Sequence, residues 1–127
     1  MNKYIAYLGD SFTIEWYWDE NGKSSSLEYV KHLEEKDQRK LLQLLSHMGD
    51  IGEIRNKEKF RHEGDGIYAF KAQPHRYLCF FFSGRKIIIT NAFEKKKQKL
   101  PKNEKDKALK ARKSFQERTS KEVYYEK

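Results

Sequence analysis

The feature that most limits the fold of this chain is a run of three short apolar segments separated by two turn signals. The segments cover residues 67–71, 76–82 and 86–93. Gln73-Pro74 separates the first two, and Ser83-Gly84 separates the last two. Segments of this length, rich in Ile, Phe and Tyr and bounded by Gly or Pro, predict β-strands. We therefore expect a three-stranded antiparallel meander.

Three amphipathic segments predict helices around this meander. The first opens at Ser25, which has the spacing of a capping box with Glu28. The second ends at Gly49 as its C-cap, and the third begins with Pro101 in its first turn. The side chains expected to face inward recur at helical spacing: Leu27, Val30, Leu33, Leu41, Leu44, Leu45, Met48, Ala108, Ala111 and Phe115.

The order of the elements predicts the fold class. Alternating apolar residues over 12–18 indicate one more strand before the helices, whereas residues 50–65 are irregular. The order β-α-α-β-β-β-α predicts an α+β sandwich in which an antiparallel sheet packs against helices. A length of 127 residues suits a single domain over 1–127, with residues 1–10 as an extension and 119–127 as a flexible tail.

The composition excludes several classes of protein. The longest apolar run, residues 77–82, is far short of the ~20 residues that a membrane helix needs. Residues 1–8 lack the apolar region of a secretory signal. Cys79 is the only cysteine, and the four histidines show no metal-ligand spacing. We expect a cytoplasmic protein with no membrane segment, no metal and no cofactor.

The net charge of +8 is unevenly distributed along the chain. Residues 1–84 hold 12 basic and 13 acidic side chains, whereas residues 85–127 hold 15 basic and 6 acidic side chains. A basic excess gathered in one segment is the electrostatic footprint of a phosphate-rich partner. A solvated lysine tail without a binding role is the alternative interpretation.

Strand register predicts that polar residues of the meander share one row. With a turn at Gln73-Pro74, Lys71 faces Arg76, and with a turn at Ser83-Gly84, Arg76 faces Asn91. These three residues would cross three strands on one face, beside the lysine run that begins at Lys95. The rest of that face would be apolar: Leu78, Phe80, Ile87 and Ile89.

This row suits the chemistry of RNA cleavage. RNA carries its own nucleophile, the 2′-hydroxyl, so the protein needs a base, a leaving-group acid and groups that stabilise the phosphorane. The planar fork of Arg76 suits the phosphate. A lysine can act as the base when neighbouring cations and burial lower its pKa, which leaves Lys71, Lys95 and Lys96 as candidates.

Two stretches of the chain resemble a known family. The segments FTIEWYWDENGKSSSLEYVKHL and DGIYAFKAQPHRYLCFFFSGRKIIITNAFEKKKQKLP are similar to the HigB-like branch of the RelE/ParE toxin superfamily, over about residues 11–118. The most specific stretch, F-x-K-K-x-Q-K-x-P, covers residues 93–101. The resemblance implies a RelE-like fold. It also implies a toxin of a type II toxin–antitoxin pair, which cuts mRNA without metal in the ribosomal A site.

The resemblance also implies partners and roles for single residues. The partner would be a helix-turn-helix, HigA-like antitoxin, and only through it would the toxin reach operator DNA. Arg76 matches a phosphate-binding arginine, Lys71 a basic strand residue, and Lys95 with Lys96 a basic pair. The remaining candidates for RNA contact are Lys97, Lys99, Arg85, Asn91 and His75. Asn91 and Ala69 depart from the family pattern, which has His and Glu there.

Two other functions remain open at this point. ParE-like relatives of the same fold poison DNA gyrase and lack the ribonuclease residues, whereas Lys71, Arg76 and the lysine run favour cleavage. A non-catalytic module that binds nucleic acid through the basic last third is the second alternative. Its binding would weaken steeply with salt, and it would form no product.

Overall fold

Six strands form one sheet, and three helices pack against it, in a computed structural model that describes residues 2–126. In chain order the elements are β1 (Ile5–Leu8), β2 (Thr13–Trp16), α1 (Ser25–Lys31), α2 (Glu35–Ile51), β3 (Phe60–His62), β4 (Tyr68–Ala72), β5 (His75–Phe82), β6 (Lys86–Glu94) and α3 (Lys102–Ser120). The predicted α+β class is confirmed. Among the described residues, no helix is long and apolar enough to cross a bilayer.

The strand order across the sheet is β1-β2-β6-β5-β4-β3. Neighbouring strands are antiparallel except β2 and β6, which run parallel. The predicted pairing of Lys71 with Arg76 is confirmed. The two edge strands, β1 and β3, were not predicted, because four and three residues are too few for a recognisable alternation. β1 lies within residues 1–10, which we expected to be an extension.

The predicted register between β5 and β6 is wrong by two residues at the end near Arg76. The connection includes Arg85, at φ +60°, so Phe82 pairs with Lys86. A bulge at Leu78/Cys79 then adds a second shift. Asn91 therefore lies opposite Leu78, and Phe93, rather than Asn91, lies opposite Arg76.

The sheet separates two apolar cores. Helices α1 and α2 cover one face, where Ile14, Leu41, Leu45, Met48, Phe70, Tyr77, Ile87 and Ile89 are buried. Helix α3 covers the other face, where Ile67, Ala69, Leu78, Phe80, Ile88, Ala108, Ala111, Phe115 and Tyr124 are buried. The prediction that Ile87 and Ile89 share a face with Leu78 is wrong, because one extra residue in a turn reverses the face of the strand that follows.

The C-terminal segment after α3 packs on the α3 side of the sheet. Tyr124 is buried, and its ring centroid lies 4.6 Å from that of Phe115. The hydroxyl of Tyr125 donates to Glu15 at 2.7 Å, and the ammonium of Lys86 donates to the same hydroxyl at 2.9 Å. Residues up to 126 therefore take part in the packing on this face.

Helix α2 ends three residues later than predicted. Gly52, at φ +92°, is its C-cap, and its N–H donates to the carbonyl of Met48. Gly49 lies inside the helix, where its carbonyl accepts from Ser11 N–H at 2.7 Å. A Cβ at Gly49 would come within 2.6 Å of the Tyr7 ring. Gly49 therefore allows the close approach of β1 and α2 rather than ending the helix.

Helix α1 is capped by Ser24, not by Ser25 as predicted. The Ser24 hydroxyl accepts from Leu27 N–H at 3.4 Å and is buried, whereas Ser25 is exposed. We expect Ser24→Ala to lower the free energy of unfolding by about 1 kcal/mol. Ser25→Ala is the matched control, with an expected change below about 0.5 kcal/mol in urea unfolding. Equal losses from both substitutions would contradict this assignment of the cap.

Candidate functional site

A pocket of about 220 Å³ lies at the end of the sheet where β4 ends and β5 begins, on the α3 side. It is closed by the loop that follows β6. We call it the cationic pocket, and its lining residues are Arg61, Glu63, Lys71, Arg76, Phe93, Lys95, Gln98, Lys99 and Leu100. The pocket gathers five basic side chains around a single carboxylate.

Arg76 lies at the base of this pocket and is 4% exposed. Its Nη1 donates to the carbonyl of His75 at 3.0 Å and to Gln73 Oε1 at 3.4 Å. Within residues 2–126, no carboxylate oxygen lies within 4.0 Å of its guanidinium. Burial lowers the pKa of Arg76, which nevertheless stays charged at neutral pH. Two neutral acceptors thus hold one nitrogen, and no described carboxylate pairs directly with the guanidinium. The negative charge of Glu63, in the same pocket, acts on it without such a pair and opposes the fall in its pKa.

Lys71 faces Arg76 across the two-residue connection of the hairpin. Its Nζ donates to the carbonyl of Lys57 at 3.2 Å. Burial is the largest cause that lowers the pKa of Lys71, and the positive charges of Arg76, Lys95 and Arg61 lower it further. The negative charge of Glu63 opposes this shift. A larger fraction of the Lys71 amine is therefore neutral than in an exposed lysine.

The lysine run after β6 contributes only some of its members to the pocket. The N–H of Lys95 donates to the carbonyl of Pro74 at 2.8 Å, which holds this lysine against the β4–β5 connection. Lys95 and Lys99 both line the pocket; Lys95 is half-buried and Lys99 is exposed. Lys96 and Lys97 are exposed and are not among its lining residues.

Three other candidates from the sequence lie away from the pocket. His75 is buried on the opposite face of the sheet, where its Nδ1 lies 2.6 Å from Tyr29 Oη and its Nε2 3.6 Å from Asp37 Oδ2. Successive residues of a strand point to opposite faces, so His75 and Arg76 cannot share a pocket on one face. His75 therefore does not face the cationic pocket.

Asn91 and Arg85 are held elsewhere in the fold. Asn91 Nδ2 donates to the carbonyl of Glu104 at 3.2 Å and to its Oε1 at 3.1 Å, which ties β6 to α3. Arg85 is exposed in the β5–β6 connection, at the opposite end of β5 from Arg76. At ~3.3 Å per residue of strand, Arg85 is on the order of 20 Å away from the pocket.

Arg61, Glu63 and Gln98 are pocket residues that we did not single out from the sequence. Arg61 lies on the three-residue strand β3, and Glu63 follows it, so neither had a periodic signal. Gln98 belongs to the motif of residues 93–101, which is the only signal that pointed to it. Ala69 is fully buried, and the carboxylate of this pocket comes from Glu63 instead.

The family comparison covers most of these elements. Residues 28–113 match the family described as phage-derived Gp49-like protein (DUF891). This chain belongs to the Gp49-like family. Gp49-like proteins are a RelE/ParE-like toxin family, and they generally act as toxins in toxin–antitoxin systems. No curated protein matches the chain at a significant level.

The matched region of this Gp49-like protein contains every lining residue of the cationic pocket. The toxin–antitoxin character of the family points to an antitoxin as partner. Among residues 2–126, no three or more His, Cys, Asp or Glu side chains are grouped so that they could hold a metal ion. The cationic pocket presents ammonium, guanidinium, amide and carboxylate groups.

Proposed function

We propose that this Gp49-like protein is a HigB-like mRNA endoribonuclease, the toxin of a type II toxin–antitoxin pair. It would cut ribosome-bound mRNA without metal and be silenced by a helix-turn-helix, HigA-like antitoxin. One observation carries this proposal: Arg76 has no carboxylate partner within the described chain and faces Lys71, whose pKa is lowered. This pair combines a phosphate clamp with a base in one pocket.

Arg76 is the proposed clamp for the scissile phosphate. Within the described residues only Nη1 is hydrogen-bonded, which leaves donors on Nε and Nη2 for phosphate oxygens. A guanidinium donates two parallel hydrogen bonds to a phosphate, and these bonds strengthen as charge develops on the phosphorane. Lys95 and Lys99 line the same pocket and add positive charge around the bound phosphate.

Lys71 is the proposed general base among the three lysine candidates. Lys96 is exposed outside the pocket lining, and burial with three neighbouring cations favours the neutral amine at Lys71. The amine of Lys71 takes the proton of the 2′-hydroxyl, and the 2′-oxygen then attacks phosphorus. The bond to the 5′-oxygen breaks, a 2′,3′-cyclic phosphate forms, and an ammonium group of Lys95 or Lys99 protonates the leaving oxygen.

Primer-extension mapping in a reconstituted translation system tests the proposal. We expect wild-type protein to produce codon-linked cuts in the mRNA in the presence of a chelator, with the Arg76→Ala variant as background. The same preparations are assayed on DNA gyrase. Inhibition of supercoiling without RNA cuts would favour a ParE-like gyrase poison. RNA binding without product would favour a non-catalytic module, and either result would contradict the proposal.

A further inference from the structure

A second, larger cavity of about 790 Å³ lies on the α2 side of the sheet edge. It runs between α2 and the segment that leads from α2 through β3 to the end of β4. We call it the α2 groove. Leu44 and Ile54, which pack against the core, form an aliphatic floor, and Ile51 lines the groove together with polar side chains.

The α2 groove and the cationic pocket meet at Lys71, which lines both. The N–H of Lys71 donates to the carbonyl of Lys59 at 2.8 Å, and its Nζ donates to that of Lys57 at 3.2 Å. Lys71 therefore lies near the end of β4, beside residues 57–59, with the cationic pocket on one side and the groove on the other. A chain held at Arg76 can continue past Lys71 into the groove.

We propose that the α2 groove binds the nucleotides of single-stranded RNA immediately 5′ of the cut. This inference rests on the proposed function. The 2′-hydroxyl that attacks the scissile phosphate belongs to the ribose on its 5′ side. The group that removes the proton of this hydroxyl must therefore contact that ribose. Lys71, the proposed base, lines both the pocket and the groove, so this ribose lies where the two meet. The polarity of the strand follows from this chemistry.

The lining of the groove suits RNA. The basic side chains of Lys40 and Lys59 line the groove and can contact backbone phosphates. Lys40 also forms a long ion pair with Asp37, at 3.8 Å. The planes of His47 and Arg55 and the aliphatic floor can pack against bases, and the amides of Gln43, Asn56 and Gln73 can hydrogen-bond base edges. Two carboxylates also line the groove, and one of them, Glu53, pairs with Arg55 at 3.2 Å. Basic groups thus outnumber acidic ones.

Photocrosslinking on programmed ribosomes tests the polarity. The probe is an mRNA with a 2′-deoxynucleotide at the cut site, which removes the nucleophile, and one 4-thiouridine two positions to its 5′ or 3′ side. We expect the 5′ probe to crosslink to the peptide region 40–59 with a yield several-fold above that of the 3′ probe. Equal yields, or a higher yield from the 3′ probe, would overturn the inference.

Paired variants test the groove by kinetics. We expect Lys40→Ala with Lys59→Ala to raise the KM for mRNA about tenfold with kcat within twofold, because uniform binding is lost. Lys31→Ala with Lys36→Ala removes the same charge from exposed sites outside both cavities and should change neither. An unchanged KM in the groove variant would overturn the inference, as would a loss of antitoxin binding with wild-type KM, which would mark a protein-docking surface.

The two proposals fail in distinguishable ways. Crosslinking needs no cleavage. A protein that crosslinks through the groove but never cuts RNA would therefore contradict the proposed function and still support RNA binding in the groove. A protein that cuts RNA but crosslinks equally to both probes would support the proposed function and contradict the groove inference. A wild-type protein that forms no crosslink to either probe would overturn the groove inference.

Discussion

Replacing Arg76 with alanine is expected to slow mRNA cleavage by about 10²–10³-fold, or about 3–4 kcal/mol of transition-state stabilisation. The expected loss is large because Arg76 is buried with no carboxylate partner in the described chain, so its charge is available to the phosphorane. The effect should fall on kcat, since the charge on phosphate oxygens grows in the transition state. Single-turnover cleavage on programmed ribosomes measures it.

Two further variants make this result interpretable. Arg76→Lys keeps a positive charge but loses the planar fork, so we expect a rate between those of wild type and alanine. Arg39→Ala removes an exposed arginine of α2, paired with Glu35 at 2.9 Å, and should leave the rate unchanged. Circular dichroism checks that each variant is folded. A folded Arg76→Ala protein that cleaves at the wild-type rate would exclude Arg76 as the clamp.

Lys71→Met is expected to slow cleavage by about 10²–10⁴-fold, the usual contribution of a general base. The base acts as the neutral amine, so the wild-type rate should rise tenfold per pH unit and level off above the kinetic pKa. It should fall again only where the ammonium that protonates the leaving oxygen loses its proton. Burial and the charges of Arg76, Lys95 and Arg61 lower the pKa of Lys71 from its ordinary 10.5. The rate should therefore level off at a lower pH than an exposed lysine would give. Lys71→Arg cannot lose its proton and should be as slow as Lys71→Met.

Two neighbouring substitutions test whether Lys71 is the group that titrates. Lys95→Ala removes a positive charge that lowers the pKa of Lys71, so the rising limb of the pH–rate profile should move to higher pH. Glu63→Gln removes the charge that raises this pKa, so the limb should move to lower pH. Shifts in the same direction, or a limb that survives in Lys71→Met, would assign the titration to another group.

The local sequence pattern was sufficient to predict much of this fold. The pairing of Lys71 with Arg76 was predictable because two residues connect β4 to β5, which leaves little freedom in register. The inward positions Ala108, Ala111 and Phe115 of α3 were predictable because one face of that helix is apolar and most other positions are charged or polar. In each case the signal lies within a few neighbouring residues.

Positions that depend on distant contacts were not predictable in this way. Ile87, Ile88 and Ile89 are all buried, because β6 packs against a core on each of its two faces. The hydrophobicity of these residues therefore does not indicate which face of the sheet each side chain is on. The bulge likewise has no local signal: Thr90 of β6 is left without a partner between the pairs Leu78–Asn91 and Cys79–Ile89. The position of Asn91 depended on both features and was predicted in the wrong row.

The sequence by itself determined which residues are cationic, which strands form the central hairpin, and that Lys71 and Arg76 lie side by side. Only the tertiary structure decided that Lys95 and Lys99 join them while Lys96, Lys97 and His75 do not. The physical reason is that chain connectivity sets the geometry of neighbours along a hairpin. Contacts between loops, edge strands and helices far apart in sequence depend on how the whole sheet packs.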